Sequence, residues 1–235
     1  MGRKSVFHYL KRGKFAKAAS LLHPCCHQGP NRTALNRYPE VFAAAAATTP
    51  EARRILSFGC SSGEECVTLA GYFPKAEIIG ADINPVILLQ ARKHRSDRIR
   101  FVYASDRILS GLGGFDAIFC MAVLRSAGHY PFESFEERAL FLETLVRPGG
   151  LLVIHNSPYR FGDTARKDTY ETIPVAAPRD IGSFLPDGVT EVEPDGSIFR
   201  KLEPREPTKA PELGEAGKKS DWIPAFAGMA MSVLS

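Results

Sequence analysis

Apolar runs and helical stretches alternate through the middle of the chain. Five apolar runs are predicted strands: "RILSF" (54–58), "AEIIGADI" (76–83), "IRFVYAS" (99–105), "FDAIFCMAV" (115–123) and "LLVIHNS" (151–157). Helices are predicted between them, over 63–72, 85–94 and 135–145. Apolar strands separated by helices or long crossovers favour a parallel sheet with helices on both faces and right-handed connections.

Both ends of the chain differ from this pattern. The segment 188–203 holds two short β-rich pieces around Asp195-Gly196, a hairpin turn signal, so the mostly parallel sheet is expected to close with an antiparallel pair. From Pro204 the chain is rich in Pro, Gly, Lys and Glu. We therefore predict three parts: a basic helical extension (1–48), one folded domain (49–205) and a disordered tail (206–235).

Composition and charge narrow the class of protein. The chain has 235 residues, 44% of them hydrophobic, which suits one domain with a full core. No apolar run approaches the roughly 20 residues of a membrane helix, and the N-terminus lacks the apolar core of a signal peptide. Five cysteines, mostly in apolar contexts, agree with a reducing compartment. We expect a cytoplasmic protein that does not bind a membrane.

The first forty residues contain eight Lys or Arg and a single acid, Glu40. Such an arm is either a solvated helix face or a surface that favours nucleic acid, acidic lipid or an acidic protein. The cluster "HPCCH" (23–27) suggests zinc, but zinc sites take four ligands from two separated pairs and no second pair lies nearby. No metal is therefore expected.

The stretch Gly59-Cys60-Ser61-Ser62-Gly63 allows two functions. It fits the G-x-S-x-G elbow of serine hydrolases, and it fits a glycine loop that leads a strand into a helix under a ligand. An elbow follows several earlier strands, whereas this loop follows the first predicted strand and no "HGGG"-type loop precedes it. We favour the ligand loop, in which Gly59 permits the tight turn and Gly63 allows close backbone approach.

The nature of the ligand follows from the acids around this loop. Asp82, nineteen residues after Gly63, ends the second strand, where it could hold ribose hydroxyls or merely cap the helix opened by Pro85. A dinucleotide loop would have glycine where Ser61 and Glu64 stand. Glu64 and Glu65 at the helix start would repel a pyrophosphate and suit a cation. Ribose, adenine and positive charge together indicate S-adenosylmethionine.

Residues 55–155 resemble the class I S-adenosylmethionine-dependent methyltransferases, and most of all the chemotaxis-receptor glutamate methyltransferases. The resemblance lies in five stretches: "LSFGCSSGEE", "ADINPVILLQAR", "FDAIFCMAVL", "LVRPGGLLVI" and, upstream, "RYPEVF" (37–42). It implies a Rossmann-like α/β fold with a seven-stranded, mostly parallel sheet and a terminal antiparallel hairpin.

The resemblance also implies cofactor contacts. Glu64 would meet the amino group, Asp82 the ribose, Ser105 and Asp106 the adenine, and Arg37 the cofactor carboxylate or the substrate. The complete predicted cofactor set is Arg37, Gly59, Cys60, Ser61, Gly63, Glu64, Asp82, Ile83, Ser105, Asp106, Cys120 and Met121.

The chain departs from that family on the substrate side. Met121-Ala122 stands where the family has Arg-Asn, Ser105-Asp106 replaces Asn-Leu, and the inserted β-subdomain is missing. Receptor glutamates are therefore not the expected acceptor. We predict methyl transfer to a carboxylate or other oxygen nucleophile of a small molecule, peptide or protein.

A hydroxyl or amine acceptor would need a base, for which His155 and Tyr159 are the candidates in the predicted mouth, although either could be structural. Two alternatives stay open. The basic arm could guide an RNA methyltransferase, although it has few aromatic residues for base stacking, and the fold could serve as a non-catalytic binding module.

Overall fold

The computed structural model describes residues 33–125 and 130–203. Residues 1–32 of the predicted basic extension, with the "HPCCH" cluster, and the tail 206–235 lie outside the described residues. Within the described ranges, no helix combines the length and the apolar character that a membrane span requires.

A seven-stranded sheet forms the centre of the domain, in the order β3-β2-β1-β4-β5-β9-β6. Its strands are β1 (Arg54–Phe58), β2 (Glu77–Asp82), β3 (Ile99–Tyr103), β4 (Phe115–Met121), β5 (Val146–His155), β6 (Tyr170–Ile173) and β9 (Ile198–Lys201). The first five in this order pair in parallel, while β9 is antiparallel to both of its neighbours. The predicted fold class is confirmed.

The last strands pair differently from the predicted hairpin. Two short strands, β7 (Ser183–Phe184) and β8 (Glu191–Val192), form a separate antiparallel pair, and β9 instead inserts between β5 and β6. Asp195 does not act as a hairpin residue, because its carboxylate accepts the backbone N–H of Gly162 at 2.6 Å. The fully buried Ile198 then enters the sheet directly. Burial of β9 in the core thus outweighs the local turn signal.

Among the described residues, five α-helices cover the sheet: α1 (Pro39–Thr48), α2 (Glu64–Tyr72), α3 (Pro85–Ala91), α4 (Asp106–Ser110) and α5 (Phe132–Leu145). A 3-10 turn, Arg92–His94, continues α3, where the sequence predicted one longer helix. Helix α5 begins three residues earlier than predicted, because Phe132 already packs against Phe135 and Tyr159.

The two faces of the sheet bury separate cores. One core includes Leu56, Ile118 and Leu142 of α5, and the other includes Ile55 and residues of α1 and α2. Phe42 of α1 packs against Phe119 of β4 at a ring distance of 5.8 Å. The carboxyl ends of the parallel strands share one edge of the sheet, which is where ligands bind in folds of this kind.

Candidate cofactor and acceptor site

The loop of residues 59–63 joins β1 to α2 with a backbone that two glycines make possible. Gly59 has φ 76° and Gly63 has φ 93°, both in the left-handed region. The amides of Gly59 and Cys60 both donate to the carbonyl of Ala81, at 2.7 and 3.0 Å. A Cβ on Gly59 would lie 2.4 Å from a methyl group of Val123, so a side chain cannot be accommodated there without a shift.

Asp82 ends β2 and anchors this loop. Its carboxylate accepts the backbone N–H of Ser61 at 3.0 Å and that of Asn84 at 2.8 Å. Burial raises the pKa of Asp82, and these backbone hydrogen bonds oppose the rise. Asn84, not Asp82, caps α3, because its side chain accepts from Val86 and Ile87. A carboxylate has about four acceptor positions, so capacity remains for a ribose hydroxyl.

Ser61 carries a further sign of a ligand. Its hydroxyl is buried and has no hydrogen-bond partner within the described residues. Buried polar atoms are nearly always paired, so an unpaired one at a glycine loop indicates a missing partner. Together with the loop and the Asp82 carboxylate, this hydroxyl fits the ribose and amino-acid portions of S-adenosylmethionine.

Glu64 is the first residue of α2. The Ser62 hydroxyl donates to its carboxylate at 2.8 Å, and the Lys93 ammonium lies 3.4 Å from it. Burial pushes the pKa of Glu64 upward, but Ser62, the residue's own backbone amide and Lys93 outweigh this and the pKa is lowered. Glu64 is therefore an ionised acid at the position where the resemblance places the amino group.

Glu65, the next residue, behaves in the opposite way. The Ser57 hydroxyl of β1 donates to its carboxylate at 2.7 Å. Burial raises the pKa of Glu65 to about 7, against the opposing effects of Ser57 and the charge of Arg37. Sequence reasoning treated Glu65 only as one of a pair of acids, and nothing in the pattern distinguished it from Glu64.

We expect the stability of Glu65→Gln, measured relative to wild type at the same pH, to be greater at pH 8 than at pH 5. A carboxyl whose folded pKa lies above the ordinary value of 4.5 stabilises the fold fully below pH 4.5 and loses that contribution as pH rises towards 7. The variant removes this loss, so its free energy of unfolding relative to wild type should improve by about 2 kcal/mol between the two pH values.

Urea unfolding of both proteins at the two pH values measures this difference. The comparison is needed because His155, whose pKa is lowered to about 4, contributes stability above pH 6.5 that is lost towards pH 4, which is the opposite trend. If the free energies of unfolding of the variant and the wild type differ by the same amount at pH 5 and at pH 8, Glu65 does not titrate in this range.

A second group of polar residues lies at the carboxyl end of β5. Arg37 pairs with Asp180 at 3.1 Å and stacks over the ring of Tyr38. The side chain of Asn156 makes two hydrogen bonds with Asp180. Its Nδ2 donates to the Asp180 carboxylate at 3.2 Å, and its Oδ1 accepts the Asp180 backbone N–H at 2.8 Å. The same amide donates to the Tyr38 hydroxyl. Sequence analysis predicted Arg37 but missed Asp180 and Asn156.

Arg125 follows β4 at the same edge. One of its terminal guanidinium nitrogens, Nη1, is buried with no hydrogen-bond partner in the described part of the chain. Burial raises the pKa of Tyr38, while the charges of Arg37 and Arg125 both act to lower it and that of Asp180 to raise it. The charges of two cations and one anion therefore act on the Tyr38 hydroxyl, and this group of side chains has an excess of positive charge.

His155 and Tyr159 are both engaged inside the domain. The carbonyl of Pro178 accepts from His155 Nε2 at 3.1 Å, which leaves Nδ1 to accept the Ser197 hydroxyl at 2.9 Å. Burial, together with the charge of Arg179, lowers the pKa of His155 to about 4. The Tyr159 hydroxyl donates to the carbonyl of Tyr130, and burial raises its pKa. Their acid–base role stays a prediction.

The remaining predicted residues line the ends of β2, β3 and β4. Ser105 caps α4 by accepting the Ile108 N–H at 3.3 Å, and Asp106 accepts from Arg138 at 2.5 Å. Ile83 directly follows β2 and is half-buried. Cys120 and Met121 end β4 and are buried.

Backbone strain also concentrates at this edge. Four non-glycine residues of the described chain have positive φ, and three of them follow β1, β4 and β5: Ser61, Ala122 and Asn156. Residues in such sparsely populated conformations cluster at functional sites. Within residues 33–125 and 130–203, no group of three or more His, Cys, Asp or Glu side chains could hold a metal ion.

The strand order, with one antiparallel strand next to the sheet edge, and the glycine loop followed by an acid define a Rossmann-like methyltransferase fold. Residues 55–150 match the family model described as a methyltransferase domain. Over these residues, which are less than half of the chain, the match agrees with the resemblance to the class I S-adenosylmethionine-dependent methyltransferases, and the finer resemblance to the chemotaxis-receptor enzymes stays a prediction.

Two curated relatives match parts of the chain. A trans-aconitate 2-methyltransferase of Deinococcus radiodurans is 31% identical over 43% of this chain and 36% of its own length. A malonyl-[acyl-carrier protein] O-methyltransferase of Legionella pneumophila is 36% identical over 31% of this chain and 26% of its own length. The chain thus spans between about a quarter and about a third of the length of these relatives.

Among solved structures, an amino pentose methyltransferase from Micromonospora echinaspora with bound S-adenosylmethionine matches at 22% identity. The match covers 65% of this chain and 56% of that one, with a TM-score of 0.39.

Proposed function

We propose that the chain is an S-adenosylmethionine-dependent methyltransferase that acts on a carboxylate, or another oxygen nucleophile, of a small molecule, peptide or protein. The observation that carries the cofactor part is the loop of residues 59–63, fastened to the Asp82 carboxylate at the end of β2. Gly59 and Gly63 bring backbone amides close to a ligand, Asp82 offers ribose contacts, and the ionised Glu64 suits an ammonium group.

The bound cofactor would supply a methyl group activated by the sulfonium. The protein's own task is then to hold that methyl group in line with the acceptor oxygen, and such alignment can contribute about 7–11 kcal/mol to catalysis. The Ser61 hydroxyl and the helix start at Glu64 would bind and orient the cofactor. The apolar end of β4, with Cys120 and Met121, would exclude water from the same edge.

Two features of the site support a carboxylate acceptor. The unpaired Nη1 of Arg125, whose charge acts on Tyr38 together with that of Arg37, provides positive charge for an anionic ligand. Neither ring nitrogen of His155 is free to accept a proton from an acceptor, since Pro178 and Ser197 occupy both. A carboxylate is ionised at neutral pH and needs no base. For His155 and Tyr159 we therefore propose a structural role.

The relatives support the same choice. The names of both curated relatives specify carboxylate-containing acceptors, trans-aconitate and a malonyl group. The chemotaxis-receptor enzymes that the chain resembles also esterify a carboxylate, that of glutamate. Because Met121-Ala122 replaces the Arg-Asn pair of that family, we propose a carboxylate other than a receptor glutamate.

A transfer assay with isotopically labelled S-adenosylmethionine tests this function. The acceptor panel contains trans-aconitate, a malonyl thioester and a glutamate-containing peptide, against matched amides, amines and alcohols. We expect label in base-sensitive methyl esters of the carboxylates only. Methylation of an amine or alcohol without any ester would contradict the carboxylate proposal while leaving cofactor use intact.

Arg125→Gln should reduce methylation of the preferred carboxylate at least tenfold, because a charge-assisted hydrogen bond of about 1.5–3 kcal/mol is lost. Affinity for S-adenosylhomocysteine should stay within twofold of wild type. Arg107→Gln, which removes an exposed arginine of α4, is the matched control and should have wild-type activity. Equal activity of the two variants would remove Arg125 from the acceptor site.

A further inference from the structure

A second concave site lies away from the acceptor residues, beside β3 at the edge of the sheet. It is a cavity of 370 Å³ lined by Arg92, Arg95, Arg100, Phe101 and Val102. This volume is within the range of small-molecule pockets. Three of its five lining residues are arginines, and none of the three belongs to the cofactor or acceptor residues described above.

The cations of this region divide into two sets. Lys93 and His94 lie 3.4 and 3.8 Å from the carboxylate of Glu64, and Arg98 donates to three carbonyls at the end of α2. These cations have internal partners. The side chains of Arg92 and Arg95, by contrast, have no hydrogen bond or ion pair to any residue that the structure describes.

The 3-10 turn explains this division. In such a helix the side chains of residues i and i+3 lie on the same face, so Arg92 and Arg95 share one face while Lys93 and His94 point elsewhere. The backbone N–H of Arg95 closes the turn on the carbonyl of Arg92 at 3.1 Å. Arg100 of β3 adds a third guanidinium, which is partly neutralised by Glu77. The cavity therefore keeps an excess of positive charge.

Strand β3 gives the cavity apolar lining and a connection to the loop. Phe101 and Val102 both line the cavity, but as consecutive strand residues they pack on opposite faces of the sheet, so only one of the two side chains can contact a given bound group. The ring of Phe101 also lies against Gly63: a Cβ built there would be 2.9 Å from its Cζ. One aromatic ring thus separates this cavity from the end of the glycine loop.

We propose that this cavity binds a phosphate-bearing small molecule at a site distinct from that for methyl transfer. Planar guanidinium groups match the geometry of phosphate oxygens and bind them through paired hydrogen bonds. A concave, arginine-lined cavity suits a compact phosphate ester better than it suits the flat surface of a large partner. The proposal does not depend on the methyl acceptor.

Calorimetric titration with inorganic pyrophosphate and ribose 5-phosphate tests the site, with neutral ribose as the comparison. We expect both phosphates to bind and ribose not to bind. Arg92→Gln/Arg95→Gln should lower the affinity for both phosphates at least tenfold. The control Arg53→Gln/Arg107→Gln, with the same loss of charge at exposed positions outside the cavity, should bind within twofold of wild type. Binding of S-adenosylhomocysteine should be unchanged in both.

Three results would overturn the proposal. The first is absence of phosphate binding at 5 mM ligand, and the second is an equal loss in both double variants. The third is a single-stranded RNA oligonucleotide that binds more tightly than either phosphate and loses affinity equally in both variants. That result would assign the arginines to a general nucleic-acid surface.

Discussion

Replacing Asp82 with alanine is expected to weaken binding of S-adenosylmethionine by about 1.5–3 kcal/mol, or roughly 10- to 150-fold. Two effects add. The ribose loses hydrogen bonds to a charged acceptor, and the backbone N–H of Ser61 loses the partner that fixes the loop at 3.0 Å. Because Asp82 is 8% exposed, no water readily replaces its carboxylate. Calorimetry with S-adenosylhomocysteine measures the change.

Ser61→Ala is the control for Asp82→Ala. It keeps the backbone N–H that bonds Asp82 and removes only the hydroxyl, so it should cost no more than about 1 kcal/mol, the value of a neutral hydrogen bond. An equal loss in both variants would mean that the Asp82 carboxylate has no special role. Labelling of Ser61 by a fluorophosphonate would instead support the serine hydrolase alternative.

Asn156→Leu is expected to lower the free energy of unfolding by about 2–4 kcal/mol, the largest stability effect predicted for this domain. The buried amide of Asn156 makes three hydrogen bonds, two with Asp180 and one with the Tyr38 hydroxyl. Its removal leaves the buried Tyr38 hydroxyl without this donor and takes two hydrogen bonds from Asp180, whose side chain is 54% exposed and keeps its ion pair with Arg37. Its backbone also has φ 56°, a conformation that asparagine tolerates better than leucine.

Asn156→Gly separates the two causes. Glycine adopts positive φ without strain but makes no side-chain hydrogen bond, so it should recover about 1 kcal/mol relative to leucine. Urea denaturation with an unchanged slope checks both values. A loss below 1 kcal/mol in the leucine variant would show that the Asn156 network contributes little to stability.

The sequence predicted the central sheet because its strands are buried on both faces. Runs such as "RILSF" and "FDAIFCMAV" have no polar alternation, and this makes their identity clear without knowledge of their neighbours. The end of the sheet was less predictable. Whether Ile198 pairs with a local hairpin partner or with β5 and β6 depends on which strand edges are open in the folded sheet, and the turn signal at Asp195-Gly196 carries no such information.

The candidate site likewise contains some residues that the sequence predicted and others that it did not. The glycine loop and Asp82 lie on adjacent strands and follow a short, fixed spacing, so the sequence predicted them. Arg37 and Asp180 are 143 positions apart, and their contact depends on the path of the segment after β6. The unpaired nitrogen of Arg125 and the high pKa of Glu65 follow from burial, which no local pattern records. Asn156, a polar residue near the carboxyl end of the predicted strand 151–157, was the one missed residue with a visible signal.

Calorimetric titration of the whole chain with S-adenosylmethionine and S-adenosylhomocysteine tests the central claim most directly. We expect one site with micromolar affinity for both, a raised melting temperature in their presence, and no comparable binding of NAD, whose pyrophosphate would meet Glu64 and Glu65. No heat of binding and no thermal shift with either ligand would contradict the assignment of the loop at residues 59–63 as a cofactor site.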